Sequence, residues 1–278
     1  MYRRPHWSFS SLNQYLRCPL QFYFQRVLGL PQPTVGSGLV LGSAVHSALE
    51  EYHRGLQEHR TLNPDHLQKT FLAAWKTREG EAEINFKAGE TRSDAIDQGI
   101  ALIETYLKEP PPDNIVAVEQ EFISPVRNSH GEYLETPIVA IADLITDDEQ
   151  ALKVNEIKTS GRAYSQMEVE TSLQPTCYVN AVQQAYDRPA EVEYTVLVKT
   201  KTPKVQRLDA FRTDEDLGRL GDIIETVERA VQNNVFYPVE SPLNCSTCPF
   251  RRPCLDWGRP QPEREGLPVL EGSMIGAV

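Results

Sequence analysis

The segment PIVAIADLITDDEQALKVNEIKT, residues 137–159, decides how the chain is read. It divides into a strand over 137–146, a polar turn Asp147-Asp148-Glu149-Gln150, and a second strand over 151–159. The first strand is almost entirely apolar and carries one charge, Asp143. Strand side chains alternate between faces, so Leu152, Val154, Glu156 and Lys158 share one face of the second. If the two strands pair, Asp143 lies beside Glu156 and Lys158. Two carboxylates and an amine on a half-buried sheet are costly unless they hold a metal or one another.

The bounds set by composition are those of a globular chain. At 278 residues there is room for one large α/β domain or two small ones, with a sizeable core. No apolar run approaches the roughly 20 residues of a membrane span. The N-terminal residues lack the apolar core of a signal peptide, so a cytoplasmic protein is expected. The net charge of −11 argues against a general basic surface for nucleic acid, though not against a local basic groove. Five cysteines, an odd number, do not suggest a disulfide framework, and three of them cluster near the C-terminal end.

Outward from the central segment the chain reads as follows. Ser8-Phe9-Ser10-Ser11 supplies a helix N-cap, and a helix follows over 12–27, divided by Pro19. After a loop over 32–38, helices are expected over 39–58, 64–83 and 93–108, with Pro64 in a first turn. Pro110-Pro111-Pro112 ends the helical part. A strand over 114–123 and a turn at 128–131 lead into the central pair. A helix over 166–186, weakened by Pro175, comes next. A hairpin of strands 191–199 and 205–211 turns at Thr202-Pro203. Thr213 or Asp214 caps a last long helix reaching 233. A cysteine-rich loop spans 242–257, and 258–278 reads as a flexible or docking tail. The expected architecture is one α/β domain over 1–257: a helical part over about 10–109, a sheet core over about 114–212, and a C-terminal helix and cysteine loop over 213–257.

Several residues carry chemistry. Asp143 and Glu156 are hard oxygen donors suited to Mg²⁺ or Mn²⁺, the Ile157 carbonyl can add another, and Lys158 can orient a water or stabilise developing charge. This is the equipment of phosphodiester hydrolysis. On these residues alone a salt-bridged strand pair is the commoner outcome. His46 lies on a helix with Gly42 and Glu50 one turn away on either side. Gly42 permits close approach of another backbone, His46 can be a ligand, and Glu50 either orients it or faces solvent. Gln174 and Tyr178, four apart on a helix, can contact a phosphate or a base, or form an ordinary amphipathic face. Cys245-x2-Cys248-x5-Cys254 is the strongest local signal and suggests a metal, either zinc or an iron–sulfur cluster. Cys18 and Cys177 are candidates for a fourth ligand, Cys177 reading more as a core thiol. With Cys18, the centre ties the two ends of the chain together and folding depends on it.

Taken in order, these residues resemble the iron–sulfur branch of the PD-(D/E)xK nucleases, which includes RecB-like exonucleases, the AddB nuclease domain and the CRISPR-associated nuclease of spacer acquisition. The resemblance covers about residues 8–257 and rests on Cys18-Pro19, Gly42-x3-His46, Ile-Ala-Asp143-Leu-Ile, Glu156-Ile157-Lys158-Thr159, Gln174-x3-Tyr178 and the C-terminal cysteine triplet. No one of these is specific; six in the right order are. The resemblance implies a restriction-endonuclease-like core with a central mixed sheet flanked by helices. It implies a [4Fe–4S] cluster on Cys18, Cys245, Cys248 and Cys254, and Mg²⁺ or Mn²⁺ held by His46, Asp143, Glu156 and the Ile157 carbonyl. Lys158 completes the catalytic set, and Gln174 and Tyr178 position DNA. Glu156 stands where many relatives carry aspartate, which the motif allows. The activity implied is DNA cleavage, exonucleolytic on single-stranded ends, in repair, recombination or CRISPR adaptation. The resemblance allows a helicase or a CRISPR-adaptation protein as partner; with no helicase motif such as a phosphate-binding Gly-rich loop with Lys-Ser or Lys-Thr, the chain is not expected to unwind DNA by itself. The rival is a non-catalytic iron–sulfur subunit of a larger DNA-processing complex.

Overall fold

A computed structural model of the chain describes residues 4–32 and 34–258. The first elements are set by capping chemistry. A two-residue strand β1 (Trp7–Ser8) leads directly into α1 (Phe9–Arg17). The Ser8 hydroxyl accepts from Ser11 N–H while the Ser11 hydroxyl accepts from Ser8 N–H, a capping box. The helix expected over 12–27 is broken. Cys18 is extended, Pro19 opens α2 (Pro19–Phe22) where a missing N–H costs nothing, and the chain continues as a widened π turn, Tyr23–Val27. The loop and helix end expected around 32–38 and 83 instead contain two short strands. These are β2 (Thr34–Gly36), before α3 (Ser37–Gln57), and β3 (Glu83–Asn85), after α4 (Pro64–Glu81), and they pair in parallel. Then α5 (Arg92–Tyr106) closes the helical part.

The second half builds the sheet: β4 (Ile115–Ser124), β5 (Ile138–Asp147) and β6 (Leu152–Ser160). Next come α6 (Gln166–Glu170), α7 (Gln174–Tyr186), β7 (Ala190–Val198), β8 (Lys204–Ala210) and α8 (Asp214–Gln232). The single helix expected over 166–186 is two, and Pro175 lies in the first turn of the second rather than inside a continuous helix. The expected cysteine loop holds two short helices, α9 (Pro242–Cys245) and α10 (Arg251–Asp256). The tail expected over 258–278 lies, from residue 259 on, outside the described residues.

The result is a mixed sheet flanked by helices. β4–β5–β6 are antiparallel neighbours, β6 and β7 run parallel through the α6–α7 crossover, and β7–β8 is a hairpin. Helix α7 covers one face through Tyr178, Val179 and Val182, packed on Val154, Val192 and Val196. The α3–α4–α5 layer covers the other, where Ile157 and Leu197 meet Val45, Leu49, Phe71 and Trp75. Each such fully buried side chain is worth about 1.5–3 kcal/mol of burial. A third cluster, including Trp7, Leu12, Cys177, Ile224 and Val227, joins α1, α7 and α8. Among the described residues no helix is long and apolar enough to cross a membrane.

Two glycines test this packing. In α8, a Cβ at Gly221 would overlap the backbone of Arg127 and Asn128, which cannot swing aside; at Gly80, in α4, it would meet nothing. Gly221→Ala is expected to destabilise the protein by about 1–3 kcal/mol. Gly80→Ala is expected to stabilise it by about 0.5–1 kcal/mol. Paired thermal melts of the two variants check both signs.

Candidate active site

The site forms where the ladder between β5 and β6 stops. The two strands pair from Asp147↔Leu152 to Leu144↔Asn155, and the next rung would set Asp143 against Glu156. Like charges directly opposite one another destabilise a sheet. The strands part at that rung, and an Asp143 carboxylate oxygen accepts the Ile157 N–H at 2.7 Å. The buried amide is thereby satisfied without its ladder partner. Further along the same edge of β5, β1 takes over, pairing Trp7 with Ile138 and Ser8 with Val139. An opening at Ala140–Asp143 is therefore bracketed by strand on both sides.

Helix α3 brings His46 to this opening. Gly42, one turn earlier, lies so close to β6 that a Cβ there would stand 3.0 Å from Thr159 Oγ1. His46 Nδ1 is 3.6 Å from Asp143 Oδ1. Glu50, the next turn on, lines the same cleft but pairs with Arg54 at 2.9 Å rather than with His46.

A residue not foreseen from the sequence completes the group. Glu119, on β4, adopts a left-handed backbone with φ of 48° inside a strand. Left-handed conformations cost non-glycine residues of order 1–3 kcal/mol and concentrate at functional sites. Ligand atoms of His46, Glu119 and Asp143 all lie within 4.8 Å of one another. The signal available in the sequence was slight, a single acid at the end of an otherwise apolar strand run, Ile115-Val116-Ala117-Val118. The cleft above these groups encloses about 560 Å³ and is also lined by Lys158 and Ile141.

Electrostatics at this cluster fit a cation. Burial and the charges of Asp143 and Glu50 raise the Glu119 carboxyl to about 7. Burial disfavours the His46 imidazolium, but the Asp143 carboxylate beside it and the charge of Glu156 outweigh it, raising the group to about 8. Carboxylates gathered in a half-buried cleft repel, and a divalent ion bound by imidazole and carboxylate oxygens relieves that repulsion.

Glu156 is held differently. It is buried, and its oxygens accept from Lys158 Nζ, from Gln174 Nε2 at 2.8 Å and from the Tyr178 hydroxyl. Gln174 also donates to Tyr178 at 3.0 Å. Both α7 side chains thus stand behind Glu156 in the core. Burial and the charge of Asp143 raise the Glu156 carboxyl. Burial opposes the Lys158 ammonium, but the Glu156 charge beside it prevails and raises its pKa. The Ile157 side chain packs under α3, and its N–H is the donor to Asp143.

The cysteines fall into two groups. Cys18, Cys245, Cys248 and Cys254 line one pocket, with Leu20, Phe24 and Phe250 as its apolar wall, whereas Cys177 is a buried core thiol. Val239 N–H points at Cys18 Sγ at 3.5 Å. The α1–α2 segment and the segment after α8 are stitched together beside this pocket by Tyr15 Oη to Val235 O at 2.7 Å, Leu20 N to Tyr237 O at 3.0 Å and Asn244 Nδ2 to Arg17 O at 3.1 Å.

Comparison with known proteins bears on the family and the fold. A family model described as PD-(D/E)XK nuclease superfamily matches residues 6–255. Among solved structures, a "Putative exonuclease" from Eubacterium rectale aligns with a TM-score of 0.55 at 13% identity, over 93% of this chain and 90% of that one. At that identity the likeness speaks for the fold. A second structure, SSO0001, aligns with a TM-score of 0.35 at 14% identity, over 83% of this chain and 91% of its own. No curated protein sequence matches at a significant level.

The protonation of the cluster sets a pH test. A metal bound here displaces protons from His46 and Glu119, whose values of about 8 and about 7 belong to the metal-free protein. Mn²⁺ affinity is therefore expected to rise from pH 6 to pH 8 and then level, with protons released on binding. Glu119→Gln should weaken binding and remove the lower step. Calorimetric titration in two buffers of different ionisation enthalpy measures both.

Proposed function

The chain belongs to the PD-(D/E)XK nuclease superfamily, and on that premise we propose that it is a metal-dependent deoxyribonuclease of the iron–sulfur, RecB-like branch, acting exonucleolytically on single-stranded DNA ends. The observation that carries the reading is the convergence of His46, Glu119 and Asp143 within 4.8 Å, in a cleft that Lys158 also lines. In this reading residues 1–257 form one nuclease domain working in DNA repair, recombination or CRISPR adaptation, alongside a helicase or an adaptation protein.

His46, Asp143 and Glu119, with Glu156 and the Ile157 carbonyl, are the residues that would hold Mg²⁺ or Mn²⁺. When bound, the ion would supply Lewis-acid stabilisation of the phosphoryl oxygens and lower the pKa of a water toward neutrality. The protein's own part is positional. Gln174 and Tyr178 fix the Glu156 carboxylate, and Glu156 keeps Lys158 protonated and near the cleft. Lys158 orients the attacking water and stabilises charge as the phosphodiester breaks. Asp143 is oriented by the Ile157 N–H and presents its other oxygen to the cleft.

Cys18, Cys245, Cys248 and Cys254 are proposed to hold a [4Fe–4S] cluster that adds to the hydrogen bonds between the α1–α2 segment and the segment after α8. The four thiols line one pocket, and Cys18 reaches it from the opposite part of the sequence to the other three.

Mn²⁺-dependent digestion of end-labelled single-stranded DNA tests the reading. Lys158→Ala is expected to lower the rate about 10²–10³-fold, the usual cost of losing one electrostatic stabiliser. Equal background from wild type and variant would favour the non-catalytic subunit instead. Anaerobically purified protein is expected to be brown, and a colourless, zinc-loaded sample would remove the cluster.

A further inference from the structure

The active-site cleft does not end at the proposed metal cluster. Gly38 and Leu39 line both it and a second groove of about 640 Å³, whose far walls are Phe86 and Lys87 on one side and Ser246–Pro249 on the other. The two spaces are neighbours across the first turn of α3. Lys199 stands at the junction: a Cβ on Gly38 would lie 3.6 Å from its Nζ.

The charge here is unlike that of the rest of the chain. From residue 194 to residue 208 there are Lys199, Lys201, Lys204 and Arg207 and no carboxylate, although the whole chain carries 39 acids against 28 bases. The β7–β8 turn presents Lys199, Lys201 and Lys204 together, and Lys87 approaches from beyond β3. Lys199 and Lys87 repel. Burial, the Lys87 charge second, lowers the Lys199 pKa, opposed by Glu90. Among the described residues Lys199 has no carboxylate within ion-pair distance. Glu90 is engaged elsewhere, accepting from Ser37 Oγ at 2.6 Å and from Lys87 N at 3.0 Å. On the opposite side of the cleft the charges are Glu50, Glu119 and Asp143. A polyanion crossing the site is drawn toward the lysines and away from the acids.

The groove also has apolar walls. Leu39 is 69% exposed at the junction, and Phe86 is half-buried beside Lys87. Exposed apolar and aromatic groups next to cations suit unpaired bases, whose faces are free to stack, rather than a duplex, whose bases are turned inward.

We propose that the groove between the start of α3 and the Ser246–Pro249 segment is the track for single-stranded nucleic acid beyond the scissile phosphate, with Lys87 and Lys199 binding backbone phosphates and Leu39 and Phe86 contacting bases. This rests on the nuclease reading above and adds to it the side from which the strand is held. Lys87 and Lys199 are positioning residues that act on bound strand remote from the reacting bond.

The test uses the full chain and the double variant Lys87→Ala/Lys199→Ala, with Lys87→Arg/Lys199→Arg as rescue. Binding of single-stranded oligonucleotides of about 15 nucleotides, near the upper site size of such tracks, is measured without divalent ions over a range of salt. Each phosphate contact on a single strand contributes about 0.7 to the salt slope, so loss of two should lower it by about 1.4. Affinity should fall roughly tenfold or more at low salt, and the arginine pair should restore it. Hydrolysis of a chromogenic mononucleotide phosphodiester, too short to leave the active cleft, should be unchanged in both variants. Leu39→Ser should weaken binding of the single strand but not of a duplex. If wild type cleaves and the alanine pair binds with wild-type affinity and slope, the track is wrong while the nuclease stands. The same holds if the short ester is lost in step with the oligonucleotide, since the lysines would then act at the cleft itself. If wild type neither binds nor cleaves any oligonucleotide, both readings fall.

Discussion

The hydrogen bond from Ile157 N–H to the Asp143 carboxylate is the contact on which the rest of the arrangement depends. A ladder that continued by one rung would bring Asp143 and Glu156 face to face and close the cleft. A ladder that merely frayed would leave a buried amide without an acceptor, at a cost of roughly 1–3 kcal/mol. The aspartate removes both problems, since its side chain supplies the acceptor that the missing rung would have provided. Its second oxygen is then free to face His46. The opening is held from outside by β1 at the other end of the same strand edge, so the strands separate locally without unzipping. Gly42 lets α3 press its histidine into the gap, and β4 turns Glu119 toward it through a left-handed residue.

Behind that gap lies a second constraint, a buried carboxylate. An uncompensated charge at Glu156 would be prohibitive, and the structure answers with an ammonium, an amide and a phenol on its two oxygens. Two of these donors come from the first and second turns of α7, which fixes where that helix starts relative to β6. Pro175 therefore belongs to the positioning of the site. It opens a helix whose first residue must already be at the carboxylate. The polar pair on α7 and the acid on β6 are one unit, and the crossover joining β6 to β7 exists in a form that brings them together.

Much of this was legible in the chain. Alternation placed Glu156 in a row with Leu152 and Val154, and the structure keeps that row under α7. The glycine before His46 announced a close approach, and Thr159 is what it approaches. The cap region Ser8–Ser11 and the choice of Thr213 or Asp214 came within a few residues of the helix starts, which the structure caps at Ser8 and Thr213. What the sequence concealed had physical reasons. β1 and the β2–β3 pair are two or three residues long, too short for periodicity to register, and exist only because distant partners complete them. Gln174 and Tyr178 have the spacing of an exposed recognition face, yet spacing says which residues share a face and not whether that face is buried. Glu119 was hidden because its value comes from an unusual backbone angle at a point set by β5. Cys18 could be paired with the C-terminal triplet as a possibility, but only the fold brings all four to one pocket.

An acidic protein that handles a polyanion must separate its charges rather than balance them. The carboxylates that gather at the cleft are what a divalent ion requires, and they would repel a phosphate backbone if they were the only charges near it. Here Glu119 and Asp143 occupy the β4–β5 side of the cleft, while among the described residues Lys199 and Lys87 sit across the first turn of α3, on the β7–β8 turn and beyond β3. Lys158 is the cation between the two sides, tied to Glu156 yet lining the cleft. The separation follows from topology. β7 lies beside β6 in the sheet, so the hairpin that extends from its end emerges next to the end of the strand that carries Glu156 and Lys158. The same parallel pairing that buries the sheet centre thus delivers positive charge to one rim of the site. A net charge of −11 describes the sum and hides this division, which is why composition argued only against a general basic surface and left a local one open.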